Sequence, residues 1–205
     1  MLPMESTTPV LCLASVSPRR RELLAQIGVP HVVLGADIDE TFLPGETPRD
    51  YVTRLAREKA LAIRRNGQQL PVLAADTTVV VDDKVFGKPL DQAQAVHMLG
   101  ELSGRVHEVL TAVALADARG VVARLSSSTV QFRTVSREES VAYWETGEPR
   151  DKAGGYAIQG LGAVFIESLR GSYSGVMGLP LYETGELLRA AGIAYWGADR
   201  SGERA

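Results

Sequence analysis

The sequence predicts a mixed α/β fold in which two lobes flank a deep central cleft. Three observations carry that expectation. Strand-like runs alternate with helical patterns through the first half of the chain. Two long strand-like runs, 106–116 and 121–135, then follow each other around Asp117 to Gly120, as in a hairpin. Hydrophobic residues are 45% and charged residues 23% of 205, the balance of a globular chain long enough for a substantial core. The whole chain, 1–205, reads as one domain with a core over 10–192 and loose ends at 1–8 and 197–205.

Each element has its own signal. Val10-Leu11-Cys12-Leu13-Ala14 gives a strand at 9–14. Ser17 then supplies an N-cap and Pro18 a first helical position. Leu23, Leu24 and Ile27 make the apolar stripe of a helix over 18–27, and Gly28 closes it. A strand at 31–35 precedes a helix over 48–65, opened by Thr47-Pro48. Further strands are expected at 71–82 and 163–168, and further helices at 91–102, 137–146 and 180–191. Ser136 with Glu139 forms a capping box, and Gly192 ends the last helix.

Composition excludes several classes of function. A net charge of −3 and only 6% aromatic residues argue against a broad nucleic-acid surface. The lone Cys12 lies in an apolar run and reads as a small buried hydrophobe. No apolar run reaches membrane-spanning length and no signal peptide precedes Val10, so a cytoplasmic protein without a membrane partner is expected.

The residues that suggest chemistry conflict with their local setting. Arg19, Arg20 and Arg21 fill a first helical turn, where the free amides favour acidic side chains. A bound phosphate would relieve the conflict; a solvated basic turn is the plain alternative. Lys59 falls on the apolar stripe of Val52, Leu55, Ala56 and Ile63, either snorkelling or reaching into a polar cavity. Asp76-Thr77-Thr78 interrupts a buried run; the carboxylate must be paired or hydrogen-bonded, unless a turn divides two short strands there. Asp82-Asp83-Lys84 has the composition of a genuine turn. Lys88 stands at a strand-to-helix junction, a ligand or a plain surface lysine. Glu40 and Asp76 are the natural pair for a hard divalent cation. Gln159 follows the glycine-rich run at 154–155; its amide suits a nucleobase edge, and a simple connector is equally compatible. His31, His97 and His107 lack metal-ligand spacing and receive no catalytic role.

Together these segments resemble the Maf family of nucleotide pyrophosphatases. The matching pieces are Ala14 to Arg20, Ile38-Asp39-Glu40, Ala56 to Ala60, Ala75-Asp76-Thr77, Gly87-Lys88-Pro89, Leu102-Ser103-Gly104, and Lys152 to Tyr156 through Gln159-Gly160. The resemblance implies a fold like that of inosine triphosphate pyrophosphatases. It also implies cleavage of a nucleoside triphosphate between its α and β phosphates, with a divalent cation (Mg, Mn or Co). Thr77 and Gln159 match the dTTP/UTP branch, whose activity is implied to be house-cleaning, rather than the branch preferring 7-methyl-GTP. On this reading Arg19, Arg20, Lys59 and Lys88 neutralise the triphosphate, helped by Ser15. Asp76 serves as general base, Glu40 and Asp76 hold the metal, and Thr77 and Gln159 read a pyrimidine. A regulatory nucleotide-binding protein linked to cell division, without turnover, is the competing function, and a monophosphate phosphatase is the second enzyme. Oligomeric state is left open between monomer and homodimer.

Overall fold

The computed structural model describes residues 8–196. Its strands are β1 (Leu11–Leu13), β2 (His31–Val33), β3 (Val72–Val81), β4 (Lys84–Phe86), β5 (Val106–Asp117), β6 (Gly120–Phe132) and β7 (Ile166–Arg170). Its helices are α1 (Pro18–Gln26), α2 (Pro48–Arg65), α3 (Gln92–Leu102), α4 (Arg137–Glu145), α5 (Tyr173–Met177) and α6 (Leu181–Ala190). All strands join one mixed sheet in the order β2-β1-β3-β5-β6-β7, with β4 paired to β3. β1 is parallel to β2 and β3, whereas β3, β5, β6 and β7 run antiparallel to their successive neighbours.

Alternation along β3 divides the interior. Val72, Ala74 and Val80 face α2, whose Val52, Ala56, Ala60 and Ile63 cover them together with Cys12 and Ala112. Burying each large aliphatic of that stripe contributes about 1.5–3 kcal/mol. On the opposite face, Leu73 and Ala75 join a core with Leu24 of α1 and Leu188 of α6. Val79 and Val81 enter a separate core with Leu99 of α3, Tyr143 of α4 and Phe132. Thr77 is the position between those two cores.

β3 also carries a gap. β1 pairs with it only at Val72 and Leu73, and β4 only from Val79 to Val81. Residues 74–78 are therefore laddered to β5 alone. The loop after β1 leads into α1 beside this gap, the usual place for a ligand at the carboxyl end of a parallel strand.

The structure corrects several expected boundaries. The strand expected at 71–82 is the single strand β3; Asp82 and Asp83, in the turn the composition marks, take φ of 49° and 61° and lead it into β4, a strand not expected from sequence. Residues 133–135 leave the sheet after an irregularity at Gln131/Phe132. The strand expected at 163–168 starts later, because Leu161–Phe165 wind into a 3-10 turn. Asp76 lies within continuous β3, so no turn surrounds it. No helix is expected at Tyr173–Met177, where Ser172 caps the short α5 and Gly178 ends it. The expected loose ends fall almost wholly outside the described residues.

Candidate active site

Helix α2 presents Lys59 inward because its apolar stripe does. Thr47 caps the helix by accepting from the Asp50 amide, which fixes the start and the phase of that stripe. Lys59 Nζ lies 2.7 Å from Asp76 Oδ1 and 2.7 Å from Glu40 Oε1. Lys59 and Asp76 are buried, whereas the Glu40 side chain is half exposed. The snorkelling alternative therefore does not describe Lys59: its buried ammonium is tied to the buried Asp76 and to Glu40 at the cleft. Burial pushes the Asp76 carboxyl above the ordinary aspartate value, opposed by the charges of Lys59 and Arg20.

A cleft of about 290 Å³ opens over the gap in β3. Arg19, Arg20, Glu40, Lys59, Asp76, Thr77, Lys88 and Gln159, eight residues far apart in sequence, all line it. Ser15 does not. It sits behind Arg20, accepting from Arg20 Nη1 at 3.4 Å and from the Ser17 amide at 3.3 Å.

Arg20 is the best-anchored cation. Nε donates to the Gly178 carbonyl (2.8 Å), and Nη2 donates to Thr77 Oγ1 (3.2 Å). Gly178 takes φ of 119°, and a Cβ there would lie 3.4 Å from Arg20 Nε. Arg19 instead reaches across the cleft, donating to the Asp151 carboxylate (3.1 Å) and carbonyl (3.3 Å). Arg21 is exposed and does not line the cleft, so two of the three arginines are used. Ser17 occupies the N-cap position but makes no side-chain cap bond, which leaves the amides of the first turn to solvent or a ligand. Lys88 and Gln159 are exposed at the cleft.

Several lining residues have no site role in the sequence reading. Tyr51, about two turns before Lys59 on α2, donates its hydroxyl to the Glu40 carbonyl at 3.0 Å and steadies that acidic loop. Lys152 lies beside Asp151, within the glycine-rich segment, and pairs with its carboxylate. Tyr156 accompanies it, hydrogen-bonded to His107 Nε2 at 2.8 Å. Only the basic and glycine-rich character of 152–160 signalled them. His107 lies in the core beneath Tyr156, consistent with its having no place among the cleft residues.

Glu40 and Asp76 supply hard oxygen donors on one ammonium, and a magnesium-like ion needs only one or two carboxylates besides phosphate oxygens and water. The donor set fits such an ion, although the described residues hold no cluster of three or more metal-ligating side chains.

The fold and this arrangement define a class: an α/β protein whose sheet gap is ringed by cations around a buried carboxylate. The chain belongs to the family described as Maf-like protein, which matches residues 10–191. It is 53% identical over 190 residues to a protein of Saccharophagus degradans named dTTP/UTP pyrophosphatase, covering 91% of this chain and 90% of that one. It is 55% identical over 184 residues to a protein of the same name from Methylobacillus flagellatus, covering 89% and 92%. The Staphylococcus aureus Ham1 protein aligns over 88% of this chain and 96% of its own at 15% identity, with a TM-score of 0.45.

Proposed function

We propose that this protein hydrolyses dTTP and UTP to the nucleoside monophosphate and pyrophosphate. The observation that carries the reading is Asp76, a buried carboxylate with raised proton affinity, held by Lys59 at the floor of a cation-lined cleft. The names of relatives at 53% and 55% identity support the same substrates.

Asp76 takes the proton of the attacking water as general base. Its raised pKa makes it a better base than an exposed aspartate. Lys59 holds Asp76 in place and, with Arg20 and Lys88, offsets the negative charge that builds on the departing pyrophosphate. Ser15 and the Gly178 carbonyl fix the Arg20 fork before substrate arrives. Arg19 narrows the cleft from the side of α1, and Thr77 with Gln159 reads the base. A divalent cation held by Glu40 and Asp76 would supply charge neutralisation on the phosphate oxygens. The single continuous sheet supports one domain. No described helix is long and apolar enough to cross a membrane, which suits the cytoplasmic placement we propose.

The test is a panel of dTTP, UTP, CTP, ATP and GTP with separate detection of pyrophosphate and orthophosphate. Pyrophosphate from dTTP and UTP, well above the other three, is the expected result. Orthophosphate would instead support a phosphatase, and binding without either product would support a regulatory nucleotide-binding protein.

A further inference from the structure

Thr111 sits in the middle of β5, 1% exposed, as the cross-strand partner of Thr77. Its Oγ1 stands 2.7 Å from the Gly175 carbonyl oxygen and 3.1 Å from Thr77 Oγ1. A hydroxyl carries one proton, and a carbonyl oxygen can only accept. The Thr111 proton therefore goes to Gly175, in the shorter contact. With its proton spent there, Thr111 Oγ1 turns a lone pair toward Thr77 at 3.1 Å, which draws the Thr77 proton inward. Thr77 Oγ1 also accepts from Arg20 Nη2 at 3.2 Å, and a guanidinium can only donate. With its proton and one lone pair committed, Thr77 has one lone pair left. Thr77 lines the cleft.

We infer that Thr111 is a positioning residue that makes Thr77 an obligate acceptor. The cleft then selects a ligand N–H at this point: the imide N3–H that thymine and uracil share. Cytosine presents an acceptor nitrogen at the same ring position, which would meet the Thr77 lone pair with nothing between them. This discrimination comes from the polarity of a hydrogen-bond chain from α5 through β5 to β3, not from the shape of the pocket. The inference rests on Thr77 reading the base, as proposed above.

The test compares wild type, Thr111→Val and Thr111→Ser. Valine keeps the shape of threonine and removes its proton, so the Thr77 proton is free to turn toward the cleft. The ratio of kcat/KM for UTP over CTP should fall by roughly tenfold or more in Thr111→Val, the scale of a polar mismatch, and recover in Thr111→Ser. A folded Thr111→Val with an unchanged ratio, whatever its overall rate, overturns the inference. Should that variant not fold, wild type settles the point: UTP should be preferred over its N3-methyl analogue by a similar factor, and equal rates overturn the inference. Calorimetric binding of UMP against CMP to the same proteins reads the base ratio without turnover. If no triphosphate is turned over, yet wild type binds UMP over CMP and Thr111→Val loses that preference, the proposed reaction fails and the role of Thr111 stands.

Discussion

At the scale of single residues, the buried pair of Lys59 and Asp76, with Glu40 at its exposed edge, governs what can be measured. Asp76→Asn keeps shape and hydrogen bonding and should lower kcat by about 10²- to 10⁴-fold, the range for losing a general base. Calorimetry should show nucleotide still binding; retained turnover would remove Asp76 from that role. The charge of Lys59 lowers the pKa of Asp76 against the opposing effect of burial. Lys59→Met should therefore move the acidic limb of the kcat/KM profile to higher pH, because Asp76 then protonates more readily. It should also cost about 3 kcal/mol of transition-state stabilisation. A pH profile measured on both proteins checks the sign: a limb that stays put would mean that another group sets it. Lys59 and Asp76 were legible in the sequence because each breaks an apolar pattern at the position where a core residue belongs. Asp151 was not, since its link to Arg19 joins residues 132 positions apart. Nor was Thr111, an ordinary strand residue until its neighbours are known.

At the scale of elements, signals held where they were local and failed where they depended on neighbours. Thr47-Pro48 and the Ser136–Glu139 capping box mark starts that the structure reproduces. The end of β6 and the late start of β7 are set by an irregular register between the two strands, which no local pattern announces. The turn from α5 into α6 shows the same dependence. Gly178 ends α5 with positive φ while its carbonyl anchors Arg20. Gly178→Ala should destabilise the protein by about 1–3 kcal/mol, the cost of holding a side chain in that region. It should also lower kcat/KM, because the Arg20 fork would shift. Thermal melts and kinetics on one preparation test both; an unchanged kcat/KM would detach the Gly178 carbonyl from phosphate binding.

At the scale of the whole molecule, the acid stability of the fold depends on a histidine outside the cleft chemistry. Burial lowers the pKa of His107 from 6.5 to about 4. The unfolded chain therefore binds a proton below about pH 6.5 that the folded one refuses until about pH 4. This contribution to stability is complete above the unfolded value and is lost as pH falls through that window, by about 3 kcal/mol in all. His107→Gln can keep the bond to Tyr156 and cannot titrate. Denaturant melts from pH 7 to 4 should fall less steeply for this variant than for wild type, and parallel curves would contradict the assignment.

The missing rungs beside residues 74–78 of β3 have a consequence for amide exchange. Long strands inside a sheet normally hold their deuterium exchange at the rate of global opening. Alternate amides of this stretch point away from β5 and have no ladder partner. Mass-resolved exchange should thus find a fast patch in the middle of one of the most buried strands, flanked by slow residues on both sides. A seated triphosphate would slow that patch far more than its flanks, giving a footprint of occupancy that requires no catalysis at all.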